Sequence, residues 1–369
     1  MHLDQKVSLK AHHTFGMEVE ARYFVEAKTH SEVLTLLNYR NMIHMPILFL
    51  GGGSNVLFTG NFTGIVIKIN SKGIEIKEEN EHHVIVTAEA GEEWDQFVQY
   101  CVDRGWSGIE NLSLIPGKVG AAPIQNIGAY GSEVKEVIES VRVIEIDSGK
   151  QRRLTNAECQ FGYRDSIFKR ALRGKVIILN VTFKLLKVDK VKDLPLLRLD
   201  YGDIRGELQR MEVSVPGIHD VRNAVCNIRR RKLPDPAVTG NAGSFFKNPV
   251  IDGKLWNTLH DRFPEMPHYP QPHGSMEESQ RSMDTQDPAN YDTGKALSSV
   301  KIPAAWLIEQ SGWKGYRNGD AGVHPNQPLV LVNYGTATGN EILGLARQIM
   351  DSVQQKFGIL LETEVNVIG

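Results

Sequence analysis

The residues best placed to do chemistry lie in two glycine-rich segments. Gly51-Gly52-Gly53-Ser54-Asn55 follows the apolar run Pro46-Ile47-Leu48-Phe49-Leu50, which reads as a short buried strand. Glycine has no Cβ, so the backbone can approach a ligand closely and turn its N–H groups toward it. Successive amides then form a concave nest for a pyrophosphate. Three glycines alone serve equally well as a simple turn, and the chain has neither of the common phosphate-loop patterns, GxGxxG or GxxxxGK[ST]. The second segment, 108–131, reads Gly-Ile-Glu-Asn-Leu-Ser-Leu-Ile-Pro-Gly-Lys-Val-Gly-Ala-Ala-Pro-Ile-Gln-Asn-Ile-Gly-Ala-Tyr-Gly. It is too rich in glycine for a stable helix and too apolar for an ordinary surface loop. A buried loop must find partners for its backbone N–H and C=O groups, and a large, flat, polar-edged cofactor would supply them.

Other polar residues have plain structural uses when taken one at a time. Arg164-Asp165 could be an exposed ion pair, and Ser244 a loop or cap serine. On a strand, Glu362 and Glu364 share one face, opposite Leu361, Thr363 and Val365. Arg229-Arg230-Arg231-Lys232 is a basic run suited to a helix C-terminus.

Taken together, the two glycine segments resemble the FAD domain of the enolpyruvoylglucosamine reductases. These are flavoproteins with the vanillyl-alcohol-oxidase (PCMH) type of FAD fold. Three further segments follow in the family's order. They are Phe161-Gly162-Tyr163-Arg164-Asp165-Ser166-Ile167-Phe168-Lys169; Leu233-Pro234-Asp235-Pro236 with Gly240-Asn241-Ala242-Gly243-Ser244-Phe245-Phe246-Lys247-Asn248-Pro249; and Leu361-Glu362-Thr363-Glu364-Val365. The resemblance spans nearly the whole chain. It implies an α+β fold, with a PCMH-type FAD-binding region and a C-terminal α+β substrate-binding domain.

The function it implies is NADPH-dependent reduction of UDP-N-acetylenolpyruvoylglucosamine to UDP-N-acetylmuramate, a peptidoglycan precursor, through non-covalent FAD. By resemblance, Gly51, Gly52, Gly53, Ser54 and Asn55 hold the FAD pyrophosphate. Gly117, Gly120, Ala121, Gln125, Asn126, Ile127, Gly128 and Ala129 lie along the isoalloxazine and ribityl. Arg164, Ser244 and Glu364 are the implied catalytic trio. Such residue types suit the reaction, because negative charge builds next to a carboxylate as the enolpyruvyl ether is reduced. A planar guanidinium can fork onto that carboxylate, a held serine can protonate the carbon, and Glu364 can polarise or proton-balance the enolate. Tyr163, Lys232 near the diphosphate, Asn248 and Gln310 are the implied substrate contacts. Tyr201 would close over the substrate, with Gly202 as its hinge. NADPH would occupy the same place in turn. The alternative on this fold is a sugar or alcohol oxidase, which needs a base beside the flavin but no Ser244 loop. Some flavoproteins of the wider group bind FAD covalently through histidine. This family does not, so His12 and His13, placed before the first strand, are expected at the surface.

Several elements must position these residues. The first seventy residues read as β-α-β, with Thr29 and Glu32 as a capping box and 65–69 as the next strand after 46–50. Residues 84–86 read as a strand. Trp94, Phe97, Val98 and Cys101 make a helical stripe. Strands are expected over 141–146, turning at 147–149, and over 176–185, with a linker at 187–216. Val221, Ala224, Val225 and Ile228 form another stripe. The last helix carries Ile342, Leu345, Ala346, Ile349, Val353 and Phe357 and stops at Gly358, and a final strand fills 359–368. The polar stretch 274–299 reads as a surface insertion. The expected domains are 1–72 and 73–216 for FAD, and 217–369 for substrate.

Composition narrows the partners. The 369 residues carry a net charge of -2 and are 41% hydrophobic, ordinary for a globular enzyme and without a basic field for nucleic acid or anionic membrane. The three cysteines are far apart, which fits neither a disulfide framework nor a zinc site. No apolar run reaches the ~18 residues that span a bilayer. These features lead us to expect a cytoplasmic protein with no metal; the small-molecule substrate is what the resemblance implies, and the oligomeric state stays open, with a monomer preferred.

Overall fold

The computed structural model describes residues 3–43, 45–188, 197–271 and 299–369. They pack as two units: Met1–Asn241 with Val367–Gly369, and Ala242–Asn366.

The first unit opens with β1 (Asp4–Ser8), β2 (Glu20–Ala27), α1 (His30–Ile43), β3 (Ile47–Leu50), β4 (Val56–Phe58) and β5 (Phe62–Ile69). The sheet order is β1-β2-β5-β3, with β2 and β3 both parallel to β5. This is the expected β-α-β arrangement with an extra antiparallel strand, β1, in front. The capping box is present: Glu32 N–H donates to Thr29 Oγ1 at 3.2 Å, and Thr29 N–H to Glu32 Oε2 at 3.1 Å. His12 and His13 correct the sequence reading. They lie after β1, not before the first strand, and neither is a surface residue. His12 is half-buried, its ring 4.4 Å from that of Phe24. His13 is buried edge-on to Phe58, with Nε2 3.1 Å from the Met17 carbonyl. Gly53 lies against this stretch, where a Cβ would meet the His12 carbonyl oxygen at 2.1 Å, so the two backbones are in close contact.

A second sheet follows, from β6 (Ile74–Glu79), β7 (His83–Glu89), β8 (Trp106–Ser107), β11 (Ile138–Glu145), β12 (Gln151–Thr155) and β13 (Val176–Lys187). Its order is β12-β11-β13-β7-β6, with β8 also on β13. A small hairpin, β9 (Gly128–Ala129) with β10 (Ser132–Glu133), stands apart. α2 (Trp94–Val102) lays its expected stripe on this sheet, and the Phe97 and Phe183 rings are 4.9 Å apart. Burying such aromatic faces contributes roughly 2–3 kcal/mol per side chain.

The expected linker is another correction. Residues 189–196 fall outside the described residues, but after them Leu197 and Leu199 are buried and α3 (Ile204–Arg210) sinks Ile204 and Leu208 into the core. One i, i+4 apolar pair in a polar stretch was too weak a periodic signal to reveal it. α4 (Ile218–Lys232) buries the expected stripe. It is fastened to α2 by Arg222, whose Nη1 and Nη2 fork onto Asp95 at 2.7 and 3.0 Å while Nε donates to Gln99 at 2.6 Å.

The second unit holds two sheets. One has the order β14-β20-β19-β18, formed by β14 (Gly240–Ser244), β18 (Arg317–Asn318), β19 (Ala321–Val323) and β20 (Val330–Asn333). The other is β15 (Val250–Asp252), β17 (Ser299–Lys301) and β16 (Tyr269–Gln271). The helices are α5 (Gly253–Arg262), α6 (Ala304–Gln310) and α7 (Gly339–Phe357). α7 has the expected stripe and its stop, Gly358 at φ 69°. Most of the stretch 274–299 lies outside the described residues. The expected final strand shrinks to β21 (Asn366–Ile368), which pairs with β4. Ile359, Leu361 and Val365 are buried anchors, and Thr363 makes only an isolated bridge, so the alternation there reflects anchoring rather than a ladder. Thr59 N–H and Oγ1 both donate to the Ile368 carbonyl, at 2.8 and 3.2 Å. Among the described residues no helix is long and apolar enough to cross a membrane, and no cluster of His, Cys, Asp and Glu could hold a metal.

Candidate active site

In the first unit the two glycine segments meet backbone on backbone. A Cβ on Gly52 would lie 3.0 Å from Gly117 Cα. Ser54 Oγ donates to the Pro116 carbonyl at 3.0 Å, and Asn55 Nδ2 to Gln125 Oε1 at 2.7 Å. The start of α2 clamps the second segment from below. Trp94 N–H donates to the Gly117 carbonyl at 2.9 Å, Val119 N–H to the Glu92 carbonyl at 2.9 Å, and the buried Lys118 pairs with Glu93, which is partly exposed. Asp95 Oδ1 accepts from Leu114 N–H at 2.5 Å. Burial alone would raise the Asp95 pKa, but hydrogen bonds from Arg222 and Leu114 outweigh it and hold the carboxyl below its ordinary range. The result is a fixed surface of bare backbone with few side chains over it. That surface suits a pyrophosphate and a flat ring, so these residues fit FAD.

Asn126, buried and at φ 45°, organises the far end of the segment. Its amide donates to Gly162 O at 2.9 Å and Glu133 Oε2 at 3.1 Å, and its Oδ1 accepts from Lys135 N–H at 3.0 Å. Opposite it, Gly162 and Asp165 close a two-residue turn with Tyr163 and Arg164 at the tip. Arg164 has φ 52°, a left-handed conformation that an arginine adopts only when its surroundings enforce it. Its Nη2 donates to the Gly128 carbonyl at 2.6 Å. Asp165 pairs with Arg170. Ile127, Gly128 and Ala129 follow, leading into the β9–β10 hairpin, and Gly120 and Ala121 sit in a short 3-10 turn.

The segment ends against the expected lid residue. A Cβ on Gly131 would lie 3.1 Å from Tyr201 Cβ, and one on Gly202 would lie 3.3 Å from Tyr130 Cδ1. Tyr201 is 45% exposed. Lys232 is exposed at the end of α4. Within the basic run before it, Arg231 pairs with Glu207 at 2.9 Å. Arg229 instead turns inward toward Tyr130.

In the second unit, β14 carries Gly243 at φ 70° immediately before Ser244. This left-handed glycine redirects the strand. Phe245 N–H then donates to the Leu329 carbonyl at 2.7 Å, Glu364 N–H to the Phe245 carbonyl at 2.8 Å, and Lys247 N–H to the Glu362 carbonyl at 2.9 Å. With the antiparallel bridge between Phe246 and Thr363, this pairing sets Glu364 one position from Ser244, both half-buried. Their juxtaposition is a product of the backbone register. Asn248 and Gln310 do not join them through any such pairing. Asn248 Oδ1 accepts from Ala304 N–H at 2.9 Å, capping α6, and Gln310 is exposed at the other end of that helix.

Sequence reasoning missed Arg229, the Lys118–Glu93 pair and Asn111, whose amide bridges the Tyr130 and Arg198 carbonyls at 2.9 Å each. Arg229 alone left a signal: it extends the buried stripe Val221, Val225 by one more i+4 step.

Comparison with known proteins agrees with this geometry. Residues 21–155 match the family model "FAD binding domain", and residues 235–368 match "UDP-N-acetylenolpyruvoylglucosamine reductase, C-terminal domain". A UDP-N-acetylenolpyruvoylglucosamine reductase of Pseudomonas syringae pv. tomato is 45% identical over 367 residues, covering 100% of this chain and 99% of that protein. The one from Flavobacterium johnsoniae is 44% identical over 368 residues and covers 100% of both. The crystal structure of a UDP-N-acetylenolpyruvylglucosamine reductase from Thermus caldophilus superposes with a TM-score of 0.65 at 23% identity, covering 100% of each chain, which speaks to the fold. With a matching FAD binding domain, a matching C-terminal domain and full-length likeness to these reductases, the chain belongs to the UDP-N-acetylenolpyruvoylglucosamine reductase family.

Proposed function

We infer that this chain is a flavin-dependent oxidoreductase that reduces UDP-N-acetylenolpyruvoylglucosamine to UDP-N-acetylmuramate with NADPH, in peptidoglycan precursor synthesis. The observation that carries the reading is its likeness, over the full length of both chains, to reductases of that name. What FAD supplies when bound is a two-electron carrier between NADPH and the terminal carbon of the enolpyruvyl group. The 51–55 loop and the 117–129 segment would hold it, the first at the pyrophosphate and the second along the ribityl and ring.

Arg164 receives the substrate carboxylate and the negative charge that develops beside it. Its turn, held by the Gly128 carbonyl, is set before substrate arrives, which is the preorganisation that makes electrostatic stabilisation effective. Ser244 gives a proton to the carbon next to the carboxylate. A serine is a weak acid, so it works only against a strongly basic carbon and only when fixed in place. The Gly243 kink and the Phe245 hydrogen bonds that hold it support that role. Glu364, one position away in the backbone register, polarises the enolate and balances its proton. Lys232 meets the diphosphate, Tyr201 closes over the nucleotide sugar, and Tyr163, Asn248 and Gln310 complete the substrate contacts. The enzyme acts as a cytoplasmic monomer and binds neither nucleic acid nor membrane, consistent with its net charge of -2.

An anaerobic titration tests this. The purified holoenzyme is expected to lose its visible flavin band on adding NADPH and to recover it on adding the enolpyruvyl substrate. Recovery only on admitting oxygen would replace the reductase with an oxidase.

A further inference from the structure

The two-residue turn of the β9–β10 hairpin is Tyr130-Gly131, with φ 49° and 79°. Two left-handed residues in succession make a primed hairpin turn, whose first place suits asparagine, aspartate or glycine. A tyrosine there is strained and stands only where its surroundings fix it. Side chains from outside the hairpin supply that fixing. Gly128 O accepts from Arg164 Nη2 at 2.6 Å, Tyr130 O from Asn111 Nδ2 at 2.9 Å, and Gly131 O from Arg198 Nη1 at 2.6 Å.

Asn111 and Arg198 also tie the hairpin to the segment that carries Tyr201. Asn111, 2% exposed, donates from the same Nδ2 to the Arg198 carbonyl at 2.9 Å. Leu197 and Leu199 are buried on either side of Arg198, and its guanidinium pairs with Glu136 at 2.8 Å. Beyond this root the contact is reciprocal. A Cβ on Gly131 would lie 3.1 Å from Tyr201 Cβ, and one on Gly202 would lie 3.3 Å from Tyr130 Cδ1. Each turn presents a glycine to the tyrosine of the other, so the two interlock with little room for a side chain between them. A loop loses conformational entropy when it orders on a ligand, and fixing its root in advance reduces that loss.

We propose that Asn111 and Arg198 are positioning residues for substrate binding: they lock the root of the Tyr201 segment to the hairpin whose Gly128 carbonyl holds Arg164, so that the tyrosine and the catalytic arginine keep one register. The inference rests on the reductase reading, with Tyr201 closing over the substrate. Asn111 and Arg198 act through Tyr201 rather than on the substrate.

A double-mutant cycle on FAD-loaded enzyme tests this. The enolpyruvyl substrate is titrated into oxidised wild type, Arg198→Ala, Tyr201→Ala and the double variant, with binding followed by the shift of the flavin absorption band. Arg198→Ala is expected to weaken binding about fivefold, the order of a charged hydrogen bond that is partly exposed, chiefly through faster release. In the Tyr201→Ala background the same truncation should change the dissociation constant by less than about twofold, because the residue being positioned is gone. Arg198→Lys, which keeps the charge and a donor but not the fork, should recover part of the loss. Asn111→Asp sets an acceptor against two carbonyls and should weaken binding more than Arg198→Ala does, again only when Tyr201 is present. Equal weakening in both backgrounds would make the contacts merely structural and overturn the proposal. So would an Arg198→Ala that binds as wild type does, or a Tyr201→Ala that binds as tightly as wild type. Should Asn111→Asp not load FAD, the Arg198 cycle decides alone. A wild type that does not bind the enolpyruvyl substrate would instead overturn the reductase reading, so the two failures are distinguishable.

Discussion

Arg164 is held at a left-handed φ that costs stability on its own, while Ser244 follows a glycine in the same region, which glycine adopts without that cost. Such strain concentrates where geometry matters to chemistry. Replacing Ser244 with alanine removes the proposed proton donor and leaves Gly243 and its kink in place. Reduction of the flavin by NADPH should then proceed at the wild-type rate in anaerobic stopped flow. Reoxidation by the enolpyruvyl substrate should slow by a factor on the order of 10²–10⁴, the usual worth of a positioned acid. Equal slowing of both halves would remove Ser244 from the proton-transfer step. Arg164→Lys keeps the charge but not the fork. Its kcat/KM for the enolpyruvyl substrate should fall by roughly 10²-fold, with the NADPH half-reaction little changed. An unaltered kcat/KM in steady-state assays would mean that the guanidinium is not on the carboxylate.

The elements around these residues divide into those the sequence declares and those it hides. α2, α4 and α7 are long enough for several turns of apolar stripe, and each was legible from spacing alone. The second glycine segment was legible because its composition contradicts every ordinary alternative. β14 was not, since Gly-Asn-Ala-Gly-Ser has none of the branched or aromatic residues that mark strands. β4 and α3 are too short to display a period. Of the site, the residue types were readable through family likeness, but the Ser244–Glu364 neighbourhood depends on pairing across more than a hundred residues. Arg229 was masked by its basic neighbours.

Two predictions belong at this scale. Gly52→Val places a branched side chain where even a Cβ would be 3.0 Å from Gly117 Cα. FAD affinity should drop at least about tenfold, read as a weaker flavin band relative to protein absorbance. Asp95→Asn breaks the fork to Arg222 and should cost ~3 kcal/mol in chemical denaturation, the lower range for a buried pair because Asp95 is partly exposed. The folded-state pKa of Asp95 lies below its ordinary value. Its contribution is therefore complete above about pH 4 and fades as the pH falls below that. The wild type and the Asn variant should thus converge in acid; a gap that stayed constant down to low pH would exclude the ion pair as its source.

For the whole molecule, cofactor and fold are linked. The residues proposed to hold FAD form a bare-backbone surface that exists only in the folded first unit. Free FAD at ~100 times its dissociation constant should therefore stabilise the apoprotein by about 2.7 kcal/mol, seen as a higher melting midpoint in calorimetry. A midpoint independent of FAD concentration would mean that the cofactor does not bind the native state preferentially. The cysteines add nothing to this linkage, since Cys101, Cys159 and Cys226 are all buried as free thiols and burial pushes the pKa of each one up.

Because residues 367–369 belong with 1–241, the second unit is an insertion within the first. A ribosome that has just finished residue 366 has released nearly all of the first unit while the segment that pairs with β4 is still unmade. Until then the Thr59 N–H and hydroxyl lack the Ile368 carbonyl to which both later donate. Completion of the FAD-binding unit during synthesis is thus timed by passage through the other unit, and a nascent chain arrested at that point would present an open strand edge to chaperones.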